Sequence, residues 1–161
     1  DQNQLDGKVD YDVCLNIDYD IIFTPKQVME IIEDTDKYPV VSGMYRLGAT
    51  HYSPVQEWDT EFFKKNGHFE FVTKDSIDPN KKYISVAYNG MGLFACKKEV
   101  LESLKYPYFY HPPVEMELDE GNSVSEMLSE DVAFCRNIKE AGYDITVNTN
   151  IVVGHEKRLI L

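Results

Sequence analysis

The first apolar run, VCLNI at 13–17, is continuous except for Asn16, the pattern of a buried strand. An acidic turn, Asp18-Tyr19-Asp20, follows at once, and then Ile21-Ile22-Phe23. Thr24 can cap a helix, Pro25 suits its first position, and Gln27 can reach back to complete a capping box. Val28, Ile31 and Ile32 give that helix an apolar stripe. The unit is strand, acidic turn, helix. It predicts an α/β fold with the 13–17 strand near the centre of the sheet and both Asp residues at its carboxyl end.

Residues 38–45 (YPVVSGMY) predict a second strand around Val40 and Val41. The stretch 48–68 mixes Gly, Pro and polar residues around Trp58 and reads as irregular. A weak alternation at 69–73 suggests an edge strand, 75–82 a surface turn, and 83–88 (YISVAY) a further strand. Asn89-Gly90-Met91-Gly92 reads as a tight turn, in which two Gly permit positive φ or close backbone approach. An apolar segment at 93–96 and a short helix at 98–104 follow. Residues 106–122, with three Pro and a Gly, read as a loop. Ser129 can cap a helix over 130–141 with Phe134, Cys135, Ile138 and Ala141 inward and Gly142 ending it. Two short strands, 145–147 and 151–153, lead to Gly154-His155. No repeat or linker interrupts the chain, so 1–161 reads as one domain or a fragment of one.

Composition narrows the function. At 161 residues and 43% hydrophobic content the chain can bury one sizeable core. No apolar run approaches a membrane span and the first residues do not resemble a signal segment, so no transmembrane segment is expected. The missing initiator Met hints at a piece of a longer precursor. The formal net charge is -12, and the Lys81-Lys82 and Lys97-Lys98 pairs stand isolated, which argues against a nucleic-acid partner. A nucleotide ligand remains compatible, because a divalent ion held by carboxylates neutralises a diphosphate where Lys and Arg are lacking. Cys14, Cys96 and Cys135 lie in apolar stretches without a CxxC pair. They read as buried free thiols, which suits a reducing, cytoplasmic setting. The aromatic cluster at 106–110 could line a groove or serve as core and rim.

Four places could carry chemistry. Asp18 and Asp20 flank one residue after a strand, and alternation would put both carboxylates on one side of an extended segment. Open α/β sheets bind ligands beyond strand carboxyl ends, and two close carboxylates invite Mg²⁺ or Mn²⁺. The alternative is an inert acidic turn. His155 follows an apolar strand and a Gly, and is either an ordinary surface or core His or a nitrogen ligand, a role more natural for Mn²⁺ than for Mg²⁺. Glu130 and Asp131 open a helix, where acidic residues complement the dipole; one of them could instead take a proton from a hydroxyl. Such a helix start should keep the carboxylate ionised. Trp58 either stacks on a sugar ring or anchors its long loop.

In this order, LNIDYDIIFTP at 15–25, VVSGMYR at 40–46, YNGMGLFACKKEV at 88–100, and SEDVAFCRNIKEAGYDI through VVGHEK at 129–157 resemble the GT-A glycosyltransferases, which transfer a sugar from a nucleoside diphosphate. The match looks closest to small viral and bacterial enzymes that build glycans, chlorella-virus capsid glycosyltransferases among them, so the cytoplasm of a virus-infected cell is one setting. The resemblance implies that Asp18 faces the ribose or metal. It implies that Asp20 ligates Mn²⁺ or Mg²⁺ on the diphosphate and that His155 completes the metal site. Gly90, Met91 and Gly92 would lie beside the donor sugar and acceptor. Asp131 would be the base of an inverting displacement, with Glu130 supporting it. The implied partners are a nucleoside-diphosphate sugar and a glycan or glycoprotein acceptor. Family members carry a nucleotide-binding half ahead of the DxD, whereas about a dozen residues precede the DxD strand here. The expectation is therefore the metal-binding and acceptor-side part of such an enzyme, lacking that half and exposing one edge of its sheet. Two rivals stand beside it. One is a non-catalytic module that binds a divalent ion and carbohydrate or serves assembly. The other is a haloacid-dehalogenase-like phosphatase with Asp18 as nucleophile, for which Ile22 stands where Thr or Val is usual.

Overall fold

A computed structural model describes residues 9–117 and 121–157. Its centre is a six-stranded mixed sheet. β1 (Val13–Ile17) pairs antiparallel with β7 (Leu93–Lys97), which pairs antiparallel with β3 (Val40–Tyr45). β3 runs parallel to β10 (Ile145–His155), whose far side takes β6 (Tyr83–Val86) along its first half and β2 (Ile21–Ile22) at its end. β1, β3 and β10 thus point the same way and deliver their carboxyl ends to one edge. Two separate ribbons complete the β-structure: β4 (His51–Val55) with β5 (Phe71–Thr73), and β8 (Pro113–Glu117) with β9 (Ser123–Met127).

Side-chain parity explains the layers. Val40, Phe94 and Cys96 point to one face and pack with Phe134, Cys135 and Ile138 of α4 (Glu130–Glu140) and Val100 of α3 (Lys98–Ser103). Their neighbours Val41, Leu93 and Ala95 point to the other face, against Ile31 of α1 (Pro25–Asp34). Strand alternation makes this division automatic. In β10, Ile145 and Val147 face the α4 side, whereas Ile151 and Val153 face α1. Residues of equal parity would share a face in a regular strand. The register shift between Val147 and Val152 is what turns the strand over. Where that bulge begins, Asp34 accepts hydrogen bonds from the Tyr83 hydroxyl (2.7 Å) and from Asn148 Nδ2 (2.6 Å), tying the end of α1 to β6 and β10.

Several expectations change. The 13–17 strand is at the end of the strand order, with β7 its one partner among the described residues, and not near the centre. It is half-buried along its length. The stretch 48–68 holds β4 and α2 (Thr60–Asn66), and the loop at 106–122 contains β8. Positions 118–120 of that loop, like residues 1–8, lie outside the described residues. The two C-terminal strands are one. Ala141 is exposed, and Val132 and Ala133 take the inward places on α4 instead. Cys96 and Cys135 are buried free thiols, while Cys14 is half-buried. No described helix is long and apolar enough to cross a membrane.

Candidate functional site

The acidic motif begins where β1 ends. Asp18 N–H donates to Gly92 O (3.1 Å), the last rung toward β7, and Asp18 O accepts from Ile21 N–H (3.1 Å). The chain therefore turns between the two Asp residues, and they do not share one side of an extended segment. Asp18 is exposed, and its carboxylate accepts from Asn16 Nδ2 (3.1 Å). Asp20 is carried onward to the end of β10. Its backbone oxygen accepts from Glu156 N–H (2.8 Å), and its carboxylate accepts from His155 Nε2 (3.2 Å). Both side chains are about three-quarters buried, with relative exposures of 22% for His155 and 27% for Asp20. His155 Nδ1 is buried without a hydrogen-bond partner.

The Asp20–His155 hydrogen bond also has the spacing that two ligands of one divalent ion would have. Two neighbouring ligands of an octahedral ion with bonds of about 2.1 Å lie about 3 Å apart. The 3.2 Å between His155 Nε2 and Asp20 Oδ2 matches that spacing. The pair offers one nitrogen and one oxygen, a donor set that would suit Mn²⁺. Asp18 is held by Asn16 instead. Among the described residues, no three His, Cys, Asp or Glu side chains are gathered as a metal cage would need.

Tyr45, at the end of β3, occupies the middle of this edge and escaped the sequence reading. Its ring meets that of His155 edge-on, with centroids 4.8 Å apart. It fills the hollow left by the NGMG turn: a Cβ on Gly90 would collide with the Tyr45 hydroxyl, and one on Gly92 would come within 2.7 Å of its ring and 2.8 Å of Ile21. A side chain at either position would have to displace Tyr45. Burial, and then the charges of Asp131, Asp18 and Asp20, push the Tyr45 hydroxyl up to about 12, so it stays protonated at neutral pH. One phenol thus feels three of the four carboxylates singled out from the sequence, Glu130 being the exception.

The turn itself is fixed by Asn89, which is fully buried. Its side chain donates to Ser42 Oγ (2.6 Å) and Gly43 O (2.7 Å) and accepts from Gly90 N–H (2.9 Å). Asn16 Nδ2 also donates to Met91 O (2.7 Å), so the Asn that interrupts VCLNI ties the acidic motif to the turn. Met91 is buried and its backbone N–H bonds the Asp131 carboxylate.

α4 presents Asp131. Ser129 caps the helix, accepting from Val132 N–H (3.4 Å), and Phe134, Cys135 and Ile138 hold its inner face in the core. The Asp131 carboxyl is pushed up to about 6, chiefly by burial, with help from the charges of Glu130 and Asp18; the Met91 N–H opposes the shift. Desolvation thus outweighs the helix start, which was expected to hold the group ionised. Glu130 is exposed, 3.8 Å from His111 Nε2. Trp58 packs on Phe69 (4.2 Å) with the Arg136 guanidinium over its ring (5.7 Å), contacts that fit the role of loop anchor.

No protein-family model matches the sequence, and no curated protein matches it. Among solved structures the chain is similar to the crystal structure of A197 from STIV, with 21% sequence identity and a TM-score of 0.56. The alignment covers 92% of this chain and 59% of A197, so the chain spans well under two thirds of that protein's length. At this identity the likeness is one of fold: a mixed β-sheet flanked by helices, resembling a GT-A-like fold.

Proposed function

We propose that the chain is the metal-binding and acceptor-side part of a glycosyltransferase that moves a sugar from a nucleoside diphosphate to a hydroxyl of a glycan or glycoprotein, with inversion. The observation that carries this reading is the Asp131 carboxyl. It is partly buried, raised to about 6, held by a backbone N–H, and on the same sheet edge as the Asp20–His155 pair.

A sugar hydroxyl is a poor nucleophile, and its proton must leave as the new carbon–oxygen bond forms. A carboxylate with a pKa of about 6 is mostly ionised at pH 7 yet more basic than an ordinary Asp, which suits a general base. The Met91 N–H and the packing of α4 fix its direction, and small displacements of a base are costly. Asp20 and His155 would hold Mn²⁺ or Mg²⁺, which when bound supplies charge stabilisation to the departing diphosphate. Tyr45 packs edge-on against the His155 ring, and its hydroxyl, protonated at neutral pH, would be available to donate a hydrogen bond to substrate.

The test is a screen of nucleoside-diphosphate sugars against the full-length protein with Mn²⁺, reading free nucleoside diphosphate, followed by single-turnover transfer at saturating acceptor. Asp131→Asn should leave donor affinity intact and slow transfer about 10²–10⁴-fold, the usual worth of a positioned base. Glu130→Gln should cost less. Near wild-type transfer by Asp131→Asn, or a product retaining the donor's anomeric configuration, removes Asp131 from this role. Binding of Mn²⁺ and sugar without any turnover would favour the non-catalytic module instead.

A further inference from the structure

Beside Asp131 lies a hollow of about 210 Å³ between the aromatic cluster around β4 and β5, the β8–β9 ribbon and the first turn of α4. Trp58, Phe69, Tyr88, Met116, Met127 and Val132 supply most of its wall. The two side chains on the wall with strongly polar groups are His68 and Ser129, and both already make local hydrogen bonds. His68 Nδ1 pairs with Phe69 O (2.9 Å), and Ser129 Oγ caps α4. Besides these, the side-chain polar groups on the wall are the Tyr88 hydroxyl and the Trp58 indole N–H, so the lining is predominantly apolar, and an apolar cavity of about 150 Å³ is large enough to hold a benzene ring.

Its position gives it meaning. Val132 follows Asp131 directly in α4, and Tyr88 leads into the turn whose Met91 N–H bonds that carboxylate. The two segments that fix Asp131 are therefore also two walls of the hollow. The opposite wall is braced in advance: Trp58 sits between Phe69 and Arg136 and edge-on to Tyr88 at 6.0 Å. Met127, 62% exposed, stands at the rim.

We propose that this hollow is a binding subsite for one apolar ring carried by the acceptor, so that the hydroxyl presented to Asp131 belongs to a molecule with an aryl or alicyclic group and not to a bare sugar. The assignment to an acceptor rests on the transfer reading above; the binding of an apolar ring does not. A pre-formed apolar hollow with few polar groups is the usual build of a small-molecule site.

Trp58 is the single Trp of this chain, and its indole N–H resonance, assigned by its loss in Trp58→Phe, reports on this wall. Full-length protein free of donor and metal is titrated with benzyl alcohol, and with methyl β-D-glucopyranoside as the ringless-aglycone control. Benzyl alcohol should shift the indole resonance saturably, with a Kd of roughly 1 mM or tighter for so small a ligand, and the control should not. Val132→Phe, which fills the hollow, should weaken binding about tenfold or more. Met127→Ala, a rim change that leaves the core alone, should weaken it about threefold. No saturable shift with benzyl alcohol, an equal shift with the control, or a Kd unmoved in Met127→Ala overturns the subsite. In transfer assays benzyl alcohol should raise the acceptor KM and leave the donor KM unchanged. An unchanged acceptor KM overturns the acceptor assignment, while absence of transfer with binding intact counts against the glycosyltransferase reading and leaves the ring site standing.

Discussion

At the scale of single residues, the decisive feature is a carboxyl whose pKa moves opposite to helix-dipole expectation. In the unfolded chain Asp131 titrates near the ordinary Asp value, and in the fold it is raised to about 6. Between these two values the native state binds more protons than the unfolded state, so this group's contribution to stability falls as pH rises through the window from about 4 to about 6. Asp131→Asn removes the charge and keeps an oxygen for the Met91 N–H. The variant should therefore melt close to wild type at pH 4 and higher than wild type at pH 7, by about 3 °C after solvent screening is allowed for. Thermal melts in metal-free buffer at both pH values check this, and a gap that is constant across them would remove the raised pKa. Asp20, His155 and Asp131 were legible in the sequence because each follows or opens a recognisable element. Tyr45 was not, since a Tyr closing an apolar run reads as an ordinary strand residue. Its place depends on two Gly met 45 and 47 positions later, at Gly90 and Gly92.

At the scale of elements, local chemistry was a reliable guide wherever the element is self-contained. The Thr24–Gln27 capping box on α1 is fully formed, and Ser129 does cap α4. The failures lie where a local rule was overridden. Pro54 lies within β4, and β4 and β5 form a ribbon apart from the main sheet, where the missing N–H costs little. The Asp59 cap and the left-handed Gly67 that ends α2 were both visible signals, passed over because Trp58 and its polar neighbours looked irregular. β10 read as two strands because the bulge changes which residues face inward. The packing of the NGMG turn on β3 makes a sharper test than any of these. Gly90→Ala places a methyl group into the Tyr45 hydroxyl and should destabilise by about 1–3 kcal/mol, as overpacking does. In a Tyr45→Ala background that clash is gone, and the same substitution should cost under about 0.5 kcal/mol. Denaturant unfolding of the four proteins of this cycle measures the coupling. Additive effects would mean that Tyr45 does not occupy the hollow.

At the scale of the whole molecule, the governing quantity is charge. The chain carries 28 acidic against 16 basic residues, and its candidate edge concentrates Asp18, Asp20, Glu130 and Asp131 where the carboxyl ends of β1, β3 and β10 converge. The diphosphate of the proposed donor would bring more negative charge to that edge. At an effective dielectric of about 20, two unit charges 4 Å apart repel by about 4 kcal/mol, so several such carboxylates exclude the ligand unless a cation intervenes. On the proposed reading, Asp20 and His155, 3.2 Å apart, would offer that cation an oxygen and a nitrogen. Binding of a nucleoside diphosphate to the full-length protein should therefore be strictly cation-dependent. In calorimetry it should be undetectable in EDTA and appear on adding Mn²⁺. Asp20→Ala removes the oxygen ligand and should weaken Mn²⁺ binding about tenfold or more, with diphosphate binding falling in step, since supporting changes around metal sites already cost 10–100-fold. Asp18→Ala should weaken Mn²⁺ binding less, because the Asp18 carboxylate is engaged by Asn16 and stands apart from the pair. Removing its charge should at the same time ease the approach of the diphosphate. The two substitutions thus separate a ligand from a bystander charge. Equal Mn²⁺ affinities for wild type and Asp20→Ala would refute the cation site. Diphosphate binding that persists in EDTA would show that the protein supplies its own positive charge at another place.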